Sequence, residues 1–125
     1  MLREVCFLIG RDDAVLWSDA STSPVALPDS RGRWGVIWRL RETIVEIVHT
    51  HPLGGAAFSS EDETTMAALN SALGRDLIYS IVTPTVMVRR APRAGEDPLE
   101  DIVEAEPWWT ALIRAASGIQ TRNET

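Results

Sequence analysis

The sequence predicts an α/β fold, a single-domain α-β-α sandwich in which helices flank a central mixed β-sheet. Three observations lead there. Apolar runs of strand length alternate with stretches of helical periodicity, in the order strand, strand, helix, strand, helix, strand, strand, helix. A chain of 125 residues suits one domain around one core, here 1–125 without internal repeats. Hydrophobic content of 45%, with five tryptophans, is that of a folded globule.

The elements follow in order. Glu4 opens the apolar run Val5-Cys6-Phe7-Leu8-Ile9, which reads as a buried strand over 4–9. Arg11-Asp12-Asp13 turns the chain, and Ala14 to Trp17 returns as the second arm of a hairpin. Ser18 to Ser30 is a connection rich in Ser, Asp and Pro, with Val25-Ala26-Leu27 as a candidate short strand. Asp29 or Ser30 would cap a helix over roughly 32–42 whose apolar face carries Trp34, Ile37, Trp38 and Arg41. Ile44 to Val48 is the next strand, stopped by Pro52.

Ser60-x-x-Glu63 has the form of a capping box. Met66, Leu69 and Leu73 continue that helix at helical spacing, and Gly74 ends it. Leu77 to Val82 and Val86 to Val88 are paired strands around the Thr83-Pro84-Thr85 turn. Arg89, Arg90 and Arg93 lead into an acidic stretch expected to be a solvated face. Pro107 suits the first turn of a last helix, with Trp108, Leu112, Ile113 and Ala116 on its apolar side and Gly118 as its stop. Residues 119–125 are expected to be a frayed tail.

The chemistry concentrates in His49-Thr50-His51-Pro52 and the Ser59 and Asp62 that follow. Residues two apart on a strand share a face, so both imidazoles project together while Glu46, Val48 and Thr50 face the other way. Asp62 lies four residues before Met66 and therefore on the apolar side of its helix. A carboxylate aimed at a core is costly unless a cation or strong donors meet it. Two histidines from a strand and one inward carboxylate from the next helix make a His-His-Asp zinc site. A single histidine at a strand end is more often a polar cap than a ligand; two of them with a matching aspartate argue against that reading.

His-x-His-Pro, seven residues to Ser59 and two more to Asp62, resembles the motif of the JAMM (MPN-plus) metalloproteases, of the prokaryotic JAB type. Ser59-Ser60-Glu61-Asp62 is similar to the form found in the deubiquitinating members. The resemblance covers roughly residues 4–90 and implies a JAMM/cytidine-deaminase-like sandwich. It implies that His49, His51 and Asp62 hold Zn2+, that a glutamate from an earlier strand is the general base, and that Ser59 hydrogen-bonds the reacting carbonyl. Glu4 is the candidate base, since Glu46 alternates to the wrong face and Glu42 ends a helix. Phe7 stands where bacterial relatives carry glycine. The family's helix before the glutamate strand is not represented, so the last helix, or a dimer or other partner chain, is expected to cover that surface.

The implied activity is that of a zinc-dependent isopeptidase that removes a ubiquitin-like protein from lysine conjugates. The alternatives are a peptidase maturing a ubiquitin-like or sulfur-carrier precursor, and an MPN-type scaffold without catalysis. The implied partner is the C-terminal tail of a ubiquitin-like protein, added as an extended strand beside the site. A narrow groove would favour glycines there, and Asp12, Asp13, Glu61 and Glu63 would meet arginines of the tail.

A formal charge of -6 argues against nonspecific nucleic-acid binding. No apolar run has the length of a membrane span, and no secretory signal is recognised, so a cytoplasmic location is expected. The single cysteine, Cys6, sits in an apolar strand and reads as a core residue. All twelve basic residues are arginine, which fits an arginine-favouring genome, or a protease of lysine-linked tags that avoids being tagged.

Overall fold

The computed structural model describes residues 1–120. It shows a small α/β domain of one six-stranded mixed sheet and three helices. The strands are β1 (Val5–Ile9), β2 (Val15–Ala20), β3 (Glu46–Thr50), β4 (Ile78–Val82), β5 (Met87–Arg93) and β6 (Glu96–Ile102). The helices are α1 (Arg31–Arg39), α2 (Ser60–Leu73) and α3 (Trp109–Ala116). The sheet order is β2-β1-β3-β4-β5-β6, and β3 with β4 is the parallel pair, joined by the α2 crossover.

Alternation divides the core in two. Cys6, Leu8, Ile47 and Tyr79 pack with Val36 and Ile37 of α1 and Met66 and Leu69 of α2. Val5, Phe7, Ile9, Val48, Val82 and Met87 pack under Trp109 and Ile113 of α3. Phe7 thus fills space beneath α3, and α3, the last helix, packs on this face of the sheet. The β1–β3 register pairs Cys6 with His49. Glu4 therefore lies at the level of His51 and on the histidine face.

Several expectations need correction. Residues 25–27 form no strand, and Val25 is exposed. In α1, Val36 and Ile37 are buried while Trp38 faces solvent with the Arg41 guanidinium 4.2 Å over its ring. Ser30 is the cap, its Oγ accepting from Arg33 N at 3.2 Å. In α3 the buried pair is Trp109 and Ile113, not Trp108 and Leu112. Both pairs have helical spacing; Asp13 selects between them, its side chain accepting from Trp109 Nε1 at 3.0 Å and its carbonyl from Trp108 Nε1 at 3.0 Å.

The acidic stretch is exposed, as a solvated face should be, but it was not expected to be a strand. Glu96–Ile102 is an edge strand paired antiparallel with β5, its acids facing arginines across the ladder: Arg90 opposite Glu100 and Arg93 opposite Glu96. A charged edge discourages pairing with other chains. Finally, Ile119 is buried and its N–H donates to Arg114 O at 2.9 Å, so order extends past the expected start of the tail. The rest of that tail, 121–125, lies outside the described residues.

Candidate metal centre

Strand topology decides where the site can form. The C-terminal end of β3 runs out where its crossover to β4 begins, and β1, antiparallel to β3, starts at the same edge. His49 and His51 leave β3 there, Glu4 enters β1 there, and α2 begins above them. Clefts outside the carboxyl ends of parallel strands are where α/β sheets place ligands.

The cap of α2 is one residue earlier than the Ser60–Glu63 box. Ser59 is the N-cap: its Oγ accepts from Asp62 N at 3.0 Å, and Asp62 Oδ2 accepts from Ser59 N at 2.8 Å. This reciprocal pair fixes the Asp62 carboxylate at the first turn and aims it at the sheet. The Ser59 oxygen uses a lone pair in the cap, so its single proton stays available to an acceptor in the cleft.

Three donor atoms converge. His49 Nε2 and His51 Nε2 are 2.9 Å apart, and Asp62 Oδ2 lies 3.3 Å from the first and 3.5 Å from the second. In a tetrahedral site with bonds of about 2.0–2.1 Å, donors sit about 3.3 Å apart. The His-His-Asp set therefore fits a zinc ion. Gly55 O lies 3.1 Å from His51 Nδ1. A carbonyl only accepts, so Nδ1 carries the proton and Nε2 presents its lone pair to the cleft. Nothing in the sequence spacing announces this outer partner, which the 51–55 turn brings back to the ring.

Glu4 completes the cluster. One of its carboxylate oxygens lies within 4.8 Å of ring nitrogens of both His49 and His51. It is 6% exposed. Burial raises its pKa above the usual carboxylate range, Asp62 adds to the rise, and the two histidines oppose it. Asp62 behaves differently. Burial pushes its carboxyl up, but the two imidazoles and Ser59 N–H outweigh that and hold it well below the usual range. Burial lowers the His51 pKa, and hydrogen bonds to Asp62 and Gly55 with the Glu4 charge reverse the sign, for a net rise. Cys6, beneath the cluster, is pushed up to about 12 by burial, which suits a packing residue rather than a nucleophile.

The cluster opens into a cavity of about 850 Å³. Its lining includes the irregular segment 24–29, Trp34 of α1, and Phe58 with the first turn of α2. Two of the four acids expected to meet a basic tail are engaged elsewhere. Asp13 belongs to the α3 contact, and Glu63 is held by Arg90 at 2.6 Å. Glu61 does line the cavity. Arg90 also stacks 4.5 Å over Phe58, whose ring centroid is 6.4 Å from that of His49, so an arginine read as a solvated edge braces the site wall.

Residues 4–95, nearly three quarters of the chain, match the family described as prokaryotic homologs of the JAB domain. The chain belongs to that family. No curated protein matches it. The matched span of this JAB domain starts at Glu4, includes every candidate site residue, and stops before β6 and α3. Among the described residues, no helix is long and apolar enough to cross a membrane.

Proposed function

We propose that this JAB domain is a zinc-dependent amide hydrolase that removes a ubiquitin-like protein from lysine conjugates. The observation that carries the reading is the convergence of His49, His51 and Asp62 within 3.5 Å of one another, with the Glu4 carboxylate beside them. His49, His51 and Asp62 would hold the zinc, which when bound would act as a Lewis acid able to bring the pKa of a water to about 7. Glu4, buried and with a raised pKa, takes the proton of the attacking water and returns it to the departing amine. Ser59 donates a hydrogen bond from its free hydroxyl to the carbonyl oxygen as charge develops there. The segment 24–29 has no regular structure and lines the same cavity as the start of α2, which suits a substrate tail held there in extended form.

The test is to measure zinc content and hydrolysis of a Gly-Gly-terminated ubiquitin-like protein joined to a lysine side chain, with and without chelator. A linear fusion of the same protein is the second substrate. The expected result is one zinc per chain and chelator-sensitive cleavage of the lysine conjugate. Preferential cleavage of the linear fusion would make the protein a maturation peptidase instead, and absence of stoichiometric metal would make it a scaffold. Glu4→Gln should retain the metal and lose at least about a hundredfold in rate; full activity in that variant would remove Glu4 from the mechanism.

A further inference from the structure

Behind the histidines, on the opposite face of the sheet, a line of hydroxyls has no part in the chemistry above. Thr50 stands between the two histidines and points to the α3 side, where it is fully buried. Its Oγ1 accepts from Val5 N at 2.9 Å. It also lies 2.9 Å from Ser117 Oγ, at the end of α3, and Ser117 Oγ donates to Arg3 O. A hydroxyl has one proton to give. Since Ser117 spends its proton on Arg3, Thr50 must donate to Ser117. The bonds therefore run in one direction, from Val5 N–H through Thr50 and Ser117 to the Arg3 carbonyl.

Those two end points flank Glu4. The groups of Glu4 itself are held from the other side, its N–H donating to Ser23 O at 2.8 Å and its carbonyl accepting from Ser21 N at 2.9 Å. The backbone around the candidate base is thus fixed on both sides. The β3 side depends on side chains because the regular β1–β3 pairing ends at Cys6 and His49. Beyond that point a threonine hydroxyl takes the place of a ladder carbonyl. The end of α3 is tied to the same segment by Arg3 N donating to Ser117 O at 3.0 Å and Arg3 Nε to Ala116 O at 2.9 Å.

We infer that Thr50 is a positioning residue for Glu4, and that Ser117 holds the Thr50 hydroxyl in that role, so that the end of α3 sets the distance between base and histidines. The inference rests on the reading of Glu4 as general base. Thr50 has no access to the cleft and acts only through the backbone of residues 3–5.

The test compares Thr50→Val, Thr50→Ser and Ser117→Ala in the zinc-loaded protein, using a Gly-Gly peptide anilide as probe. Thr50→Val should lower kcat by about tenfold to a hundredfold, the range expected when a reacting group is misplaced by up to an ångström. KM, zinc content and the absorption spectrum of the cobalt-substituted protein should stay as in wild type. Thr50→Ser keeps the hydroxyl and should restore most of the rate. Ser117→Ala should fall between them and serves alone if Thr50→Val does not fold. Amide exchange at Val5 should accelerate in Thr50→Val and Ser117→Ala, a readout that needs no activity. Lowered thermal stability with unchanged kcat per zinc and unchanged Val5 exchange would overturn the inference. An inactive wild type whose Val5 exchange still responds would instead sink the proposed reaction.

Discussion

Strand β3 carries two buried acidic clusters at its two ends, and they are built on opposite principles. At its start, Glu46 is 4% exposed and fully matched: Arg89 forks onto it, with Nε at 3.2 Å and Nη2 at 3.1 Å, and Ser80 Oγ donates to the same carboxylate. Charge is balanced by a permanent cation. At the other end, Glu4 and Asp62 face two imidazoles and, among the described residues, no guanidinium. That cluster has acceptors converging on one point, with the Ser59 N–H to Asp62 as a fixed donor and no permanent cation among the described residues. A fixed counter-ion makes a carboxylate structural, whereas a missing one leaves it open to a metal, a proton or a substrate. The Gly55 carbonyl on His51 Nδ1 sharpens the contrast, since it spends a donor to keep a lone pair facing the cleft.

The largest expected effect breaks the open cluster. His49→Ala or Asp62→Asn should release zinc and reduce hydrolysis by at least about three orders of magnitude, since the structure offers no substitute for the Lewis acid. Zinc analysis and rate measured together check this, and metal retained at wild-type affinity in either variant would refute the ligand set. Next comes Ser59→Ala. Loss of a donor to the developing oxyanion costs about a hundredfold to a thousandfold in kcat. Because Ser59 also caps α2, the variant should lose about 1 kcal/mol of stability as well. Unfolding with an unchanged rate per folded molecule would leave Ser59 as a cap only.

The contrast also explains what could be read from the sequence. The open cluster was legible because its members lie within fourteen residues of one another and their facing follows from strand and helix periods. Glu4 was reachable only as a carboxylate opening an apolar run, and the Cys6–His49 register supplied the rest. The closed cluster was not legible, because Glu46, Ser80 and Arg89 belong to three strands and nothing local announces their meeting. β6 was missed for a different reason. Its acids and Pro98 are poor strand formers, and cross-strand arginines outweigh that preference. In α1, Trp38 shares the spacing of Trp34 yet faces solvent. In α3, tryptophans at adjacent positions gave two equally periodic solutions. The choice came from distant partners such as Asp13.

Stability should separate the two clusters by sign. Glu46→Gln keeps one acceptor oxygen but removes the negative charge and turns the other oxygen into an amide donor facing Arg89 or Ser80. It should cost about 2–3 kcal/mol, because breaking a buried ion pair leaves the Arg89 charge unmatched. The turnover of folded molecules should not change. Glu4→Gln in the metal-free protein should go the other way. Its folded pKa is raised by burial, so the ionised form destabilises the fold as pH rises above the unfolded value near 4.3, and removing the charge relieves that cost at pH 7. Urea unfolding of both variants tests the pair. Equal losses of stability would mean that the two ends of β3 do not differ as argued.

The smallest expected effect concerns a matched pair that water can reach. Glu106 accepts from Arg114 Nη1 at 2.7 Å and Nη2 at 3.0 Å, with side-chain exposures of 24% and 11%. The Arg114 guanidinium holds the Glu106 carboxyl below its usual range. A depressed folded pKa gives stability that is present above the unfolded pKa of about 4.3 and is lost as pH falls through the folded value. Solvent screening limits the contribution to about 1 kcal/mol. Glu106→Gln should be less stable than wild type by that amount at pH 7 and equal to it at acid pH. Arg114 Nε still donates to Thr83 O at 2.9 Å, so the arginine is not stranded in the way Arg89 would be. A difference between wild type and variant that does not change with pH would assign the effect to packing of the side chain rather than to its charge.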